Sequence, residues 1–154
     1  MTFLLFQIGA DRYALDIRRV AEALPRVKLK TIPQAAAGIA GVFNYHGQPV
    51  PVVDLTALIL GRPAGNSLST RLLVVHCTAA DGASRLLGLL AEQATATARF
   101  EPQDFKEPGV TTTGTPYLGL VTSDTRGLIQ WVEIEKLLSP EVRGQLWRQA
   151  EAVV

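Results

Sequence analysis

Apolar residues in this chain recur with a period of two in short runs, and the same order of runs is written twice. Phe3, Leu5, Tyr13, Leu15 and Ile17 lie on either side of a turn at Gly9-Ala10-Asp11-Arg12, which predicts a hairpin. In the second half Leu72-Leu73-Val74-Val75 meets a turn at Ala80-Asp81-Gly82-Ala83 and resumes as Leu86-Leu87-Gly88-Leu89-Leu90. Each copy continues with a glycine-bearing strand, a further strand and a Leu/Ile-rich turn. In the first these begin at Ala40-Gly41-Val42, at Val50 and at Thr56; in the second, at Leu118-Gly119-Leu120, at Gln130 and at Glu135. Repetition of a whole supersecondary order predicts two similar all-β units with a seam between them, a build that suits holding partners. The copies run from about 3 to 61 and from 70 to 138. Which unit takes the N-terminal strand stays open, because strand exchange between the units would leave the same text.

Several segments are predicted by local chemistry. From Asp16 to Leu24 helical and strand spacings compete, and the β-branched Ile17 and Val20 favour a strand with an irregular end before Pro25. Ile32-Pro33 opens a short helical turn through Ala37 that Gly38 closes. Pro49 and Pro51 lack amide hydrogens, so their strand belongs at an edge or a bulge. Residues 61 to 67 are a linker, and the proline- and glycine-rich connection 101 to 117 excludes regular structure. Ser139 and Pro140 are good N-cap and first-turn residues. Val142, Leu146 and Ala150 follow at four-residue spacing, so residues 139–154 are expected to form an amphipathic helix packed through them and Trp147.

Composition narrows the function classes. With 47% hydrophobic and 19% charged residues, the 154-residue chain has ample core, and no apolar run is long enough to insert in a membrane. A formal charge of +1, from 15 basic and 14 acidic residues scattered along the chain, provides no stripe for nucleic-acid phosphates. The segment after Met1 lacks a basic n-region and one cysteine forms no internal disulfide, so the expectation is a cytoplasmic protein.

Catalytic candidates are few. His76 and Cys77 are adjacent in a predicted strand, where successive side chains point to opposite faces, so they do not meet as base and nucleophile. No Cys/His/Asp cluster has metal-ligand spacing, and phosphate-cradle, dinucleotide and hydrolase-elbow motifs are absent, so no catalytic residue, cofactor or metal is expected. Asp54 and Glu133 stand at matching places where a strand enters a helical turn, which suits carboxylates at helix N-termini. Arg12, Arg18, Arg19, Arg26, Lys28 and Lys30 give the first copy a local positive charge, read as a solvated face before an acidic partner's surface.

At Val42-Phe43-Asn44-Tyr45-His46-Gly47-Gln48-Pro49-Val50-Pro51-Val52-Val53-Asp54-Leu55 the chain resembles the CheW family of chemotaxis coupling proteins, matching it at Gly41, Asn44, Gly47, Pro51, Val52, Asp54 and Leu55. The likeness extends over residues 3–138, through Tyr13-Ala14-Leu15-Asp16-Ile17, Leu87-Gly88-Leu89-Leu90 and Ile134-Glu135-Lys136-Leu137-Leu138. It implies a mainly β, CheW-like fold of two five-stranded SH3-like β-barrel subdomains with short helical turns and a C-terminal helix. It also implies a non-catalytic adaptor at receptor clusters, bridging a chemoreceptor's cytoplasmic hairpin tip, held in an apolar groove between barrels, to the regulatory domain of a CheA-type histidine kinase. By position, Ile39, Val42, Asn44, Gly47, Leu87 and Leu89 are the candidates for receptor contact or its support, and Glu22 matches an acidic position of the family. His46 stands where the family usually has arginine, and Ala91-Glu92 where it commonly has Val-Asp. Histidine titrates near neutrality, so a Glu22–His46 pairing would weaken as pH rises. The wording around Leu60-Gly61-Arg62-Pro63 and Leu128-Ile129-Gln130-Trp131-Val132 is similar to coupling proteins of Wsp-type surface-sensing pathways, whose output is cyclic di-GMP. The alternative is a small β-barrel ligand sensor or enzyme using the inter-barrel cleft, which would need convergent polar groups there.

Overall fold

In the computed structural model the described residues are 1–107 and 118–153. Strands β1 (Thr2–Ile8) and β2 (Asp11–Asp16) form the expected hairpin, with Leu5 opposite Ala14. Asp16 ends β2 because its carboxylate accepts the Arg18 N–H at 3.0 Å and caps a single 3-10 turn, Ile17–Arg19. β3 (Val20–Pro25) then resumes the strand. β4 (Ile39–Tyr45) and β5 (Gln48–Asp54) meet at a two-residue turn whose φ values, 50° at His46 and 85° at Gly47, are the pair that matches strand twist in a hairpin. Asn44 fastens the turn by accepting the Gly47 N–H at 2.7 Å.

Helix α1 (Leu55–Leu60) follows β5, capped by Asp54, which accepts N–H groups from Ala57 at 3.1 Å and Ala64 at 2.9 Å. β6 (Arg71–Thr78), the long β7 (Ser84–Arg99), β8 (Leu118–Asp124) and β9 (Gly127–Val132) complete the sheet, and α2 (Pro140–Val153) ends the chain. Ser139 accepts the Val142 N–H at 3.2 Å, and Leu146, Trp147 and Ala150 are the buried face of α2, as the spacing requires.

Some expectations need correction. Residues 33–37 take part in two separate turns and no helix: the Ala35 N–H reaches the Ile32 carbonyl at 3.3 Å and the Ile39 N–H the Ala36 carbonyl at 3.2 Å. Ile32 is buried at one end, the Gly38 carbonyl takes the Asp54 N–H at 2.8 Å at the other, and Gln34 has a positive φ of 57°. The left-handed backbone at Gln34 interrupts the winding, so the two turns do not join into a helix. Part of the connection 101–117 is ordered: Pro102–Asp104 is a 3-10 turn, Phe105 is buried, and Lys106 pairs with Val121. The rest of it, 108–117, lies outside the described residues. Glu133 precedes a 3-10 turn as expected but caps nothing; its carboxylate pairs with Lys136 at 2.9 Å. The edge expected from Pro49 and Pro51 holds for half of β5: their half pairs with β4 alone, and the parallel pairing with β7 begins at Val52.

The strands close into two five-stranded barrels. The first runs β3, β6, the front half of β7, β5 and β4, and Lys30 returns to Val42 through reciprocal backbone bonds of 2.9 and 2.8 Å. The second runs through the back half of β7, β1, β2, β9 and β8, and Lys106 returns to Val121 through bonds of 2.8 and 2.8 Å. The hairpin β1–β2 therefore sits with β8 and β9 of the second copy, while β6–β7 sits with β3, β4 and β5 of the first. Val52, Leu72 and Leu90 fill the first interior. Phe3, Phe105 and Trp131 pack ring to ring in the second, with centroids 5.2 and 5.0 Å from Phe3. A third core, including Leu4, Phe6, Tyr13, Leu15, Leu73, Val75, Leu87 and Leu89, is shared by both barrels.

Candidate partner-binding groove

No ladder joins β3 to β4 beyond the Lys30–Val42 bridge, so the wall of the first barrel is split there. The split opens as a groove of about 610 Å³. Its floor is apolar: Leu24, Val27, Val42 and Phe43. Glu22, Lys28, Lys30 and His46 form the rim, and Asn44 and Tyr45 the end nearest the β4–β5 turn. Alternation produces this division, since Val27 and Leu29 turn toward the barrel interior while Lys28 and Lys30 are exposed.

At the turn end the polar groups are tied together. The Tyr45 hydroxyl donates to Glu22 Oε1 at 2.6 Å, which raises the phenol above its usual pKa because the carboxylate holds the proton. The Tyr45 ring also meets Phe43 edge-on at 6.0 Å and His46 at 4.4 Å. His46 Nε2 lies 3.9 Å from Glu22 Oε1, with the imidazole side chain 78% exposed. A pair at that distance in water contributes little, so the phenol is the principal hold on Glu22.

The eight candidates from the sequence divide by place. Glu22, Val42, Asn44 and His46 converge on the groove, and Gly47 shapes the turn beside it. Val42 is fully buried and packs with Ile32 and with Ala150 of α2, so it supports the groove from behind. Leu87 and Leu89, also fully buried, belong to the shared core, the place of support and not of surface. Ile39 lines a separate recess with Gly38, Asp54 and Pro63. The groove these residues mark lies in the wall of one barrel, and a second cavity of about 410 Å³ opens on Leu15 and Val132 of the shared core. Leu24, Val27, Phe43 and Tyr45 escaped the sequence reading. Their signal was present, because Val27 and Leu29 alternate with Lys28 and Lys30 in the basic stretch already noted.

The remaining chemistry is structural. His76 is exposed and Cys77 buried, on opposite faces of β6, and burial pushes the thiol up to about 11. Glu92 takes the Thr56 hydroxyl at 2.7 Å and lies 3.6 Å from Arg62, so it ties β7 to α1 and the linker. Among the described residues no group of three or more His, Cys, Asp and Glu could hold a metal ion. No helix among them is long and apolar enough to cross a membrane.

The model of the CheW-like domain family matches residues 2–142 of this fold. The chain belongs to the CheW-like domain family. This CheW-like chain is 32% identical over 146 residues to the chemotaxis protein CheW of Klebsiella aerogenes, covering 90% of this chain and 82% of that one. To the chemotaxis protein CheW of Rhizobium meliloti it is 30% identical over 87 residues, covering 56% and 53%. Its fold is similar to that of the scaffolding protein TtCheW from Thermoanaerobacter tengcongensis, with a TM-score of 0.80, 23% identity, and coverage of 94% and 92%. In this CheW-like chain the family pattern from Gly41 to Leu55 maps onto β4, the turn, β5 and the start of α1, and β4 with His46 of the turn forms one side of the groove.

Proposed function

We propose that this protein is a non-catalytic, cytoplasmic signalling adaptor that couples a chemoreceptor's hairpin tip to the regulatory domain of a CheA-type histidine kinase. The observation that carries this reading is the convergence of Glu22, Asn44 and His46 on an apolar groove backed by Val42, in a chain of the CheW-like family. Leu24, Val27 and Phe43 at the floor suit the apolar stripe of a receptor helix, the helix-in-groove mode of recognition. Kinase contact then uses barrel surface elsewhere. Holding both partners on one body of this size raises their effective concentration and lets receptor geometry bias the kinase. The adaptor would work at receptor clusters on the inner face of the membrane. His46 in the arginine place fits service to a receptor set other than the main motility one, and we propose a surface-sensing pathway with a cyclic di-GMP output.

The test is co-sedimentation of the purified protein with the receptor's cytoplasmic fragment and the CheA-type kinase from the same genome. A ternary complex with altered kinase autophosphorylation is the expected result. Failure to enter a complex with either partner would overturn the adaptor reading.

A further inference from the structure

The first copy carries six cationic side chains in its opening stretch, and the structure spends four of them. Arg12 forms a two-pronged ion pair with Asp124 at 2.6 and 2.8 Å. Arg18 holds Asp16 at 2.8 Å, and Arg19 joins Glu135 and the His76 carbonyl. Arg26 donates to the carbonyls of Ala64 and Gly65, both at 3.2 Å. Lys28 and Lys30 remain: neither has a carboxylate partner among the described residues, both are exposed, and both stand on the groove. Glu22, the groove's acidic group, is already held by Tyr45. The groove is thus an apolar floor whose rim carries two unpaired ammonium groups, alongside the Glu22 carboxylate that the neutral Tyr45 phenol holds without cancelling its charge.

The second barrel shows that this is not a by-product of the fold. The closing bridges Lys30–Val42 and Lys106–Val121 mark equivalent positions, so Phe43-Asn44-Tyr45 corresponds to Thr122-Ser123-Asp124. There the tip is polar and Asp124 is neutralised by Arg12. Both tips are tied, Asp124 to Arg12 and Tyr45 to Glu22, and what sets the first barrel apart is the apolar Phe43 with the two unpaired lysines beside it.

From this asymmetry we infer that Lys28 and Lys30 select the partner: the groove takes a helix whose apolar stripe is flanked by Asp or Glu side chains that meet the two ammonium groups. The inference deepens the adaptor reading and rests on it, with the receptor helix as the occupant. Attraction between rim charges and an acid-flanked helix acts over about a Debye length and is screened by salt, whereas the apolar floor is not.

The experiment measures the affinity of the full chain for the receptor's cytoplasmic fragment and, separately, for the kinase regulatory domain, each at low and high salt. The variants are the double Lys28→Gln/Lys30→Gln, the double Lys28→Glu/Lys30→Glu, Phe43→Ser and Tyr45→Ala, each checked by thermal unfolding. Neutralising both lysines should weaken receptor binding about 3- to 10-fold at low salt and change nothing near 0.5 M salt, roughly the range of two partly exposed ion pairs. Charge reversal should weaken it further, with binding that improves as salt is added. Phe43→Ser should weaken it at every salt concentration, and Tyr45→Ala repeats that test if Phe43→Ser does not fold. Wild-type receptor affinity in both lysine variants, with loss in the aromatic ones, overturns the charge selection and leaves the adaptor reading standing. A lysine effect confined to the kinase overturns the assignment of the receptor to this groove. Binding of neither partner by the wild-type protein overturns both.

Discussion

Asp124 shows how much one side chain carries in the second barrel. Its carboxyl is held well below the usual carboxylate range, first by the Arg12 guanidinium and then by the Arg126 backbone N–H, and this clasp ties the start of β2 to the β8–β9 turn. The folded pKa is depressed, so the stabilisation is present above the unfolded value near 4 and is lost as pH falls below it. Asp124→Asn should therefore lower Tm at pH 7, and the difference from wild type should shrink by pH 3; an undiminished difference would contradict the assignment. Asp16, lowered by its hydrogen bond to Arg18, adds to the same acid lability. Cys77 gives the complementary test. With its thiol buried and pushed up to about 11, it should resist a disulfide reagent at pH 8 in the folded protein and react promptly in denaturant. These residues also show what a sequence yields at this scale. The separation of His76 from Cys77 follows from strand alternation alone. That Arg12 finds Asp124, 112 positions away, could not be read because it depends on which barrel takes the first hairpin.

At the scale of elements, legibility tracked local chemistry. α2 was readable to its capping serine because Ser139, Pro140 and the spacing of Leu146 and Ala150 all act within the helix itself. At 33–37 turns form but not the helical one expected, because the backbone at Gln34 is left-handed and the segment is tied down at Ile32 and Gly38. The β3–β4 groove was half legible: His46 and Asn44 stood out by motif, while Phe43 and Leu24 read as ordinary strand residues until a missing ladder exposed them. Gly41 tests how the first barrel closes. It has a φ of 149°, and a Cβ there would lie 2.5 Å from the Lys30 carbonyl oxygen, inside the bridge to Val42. Gly41→Ala should open that bridge, with faster amide exchange at Lys30 and Val42 and a loss of stability well above that of an ordinary surface substitution. Preserved exchange rates would mean that the bridge does not close the barrel. Leu146→Ala removes a fully buried side chain from the shared core, and should cost about 2–5 kcal/mol in denaturant unfolding while leaving α2 helical.

For the whole molecule, the decisive feature is that neither barrel is made from a continuous piece of chain. β1–β2 completes the second barrel before the first has been written, β7 runs from one barrel into the other, and both outer faces meet in a shared core. A seam was visible in the duplicated text, but the exchange was not, because swapping equivalent hairpins leaves every local pattern unchanged. It has a thermodynamic consequence: neither barrel can unfold alone without removing strands or buried faces from the other. The two tryptophans stand one in each environment, Trp131 among the aromatic rings of the second barrel and Trp147 on α2, donating to the Leu86 carbonyl of the first barrel at 2.8 Å. Single-tryptophan variants, Trp131→Phe and Trp147→Phe, therefore report the two barrels separately. Their urea transitions, each compared with the far-UV signal of the same variant, should coincide, as a two-state chain requires. Fragments 1–69 and 70–154 should stay unfolded when made separately and gain structure on mixing, since each holds the hairpin that the other barrel lacks. A Trp147 transition well separated from that of Trp131 would show two independent units, each able to yield without straining the other. Coincident transitions instead make the adaptor a single stiff body, in which a load on β3 and β4 is felt through β7 at the far barrel.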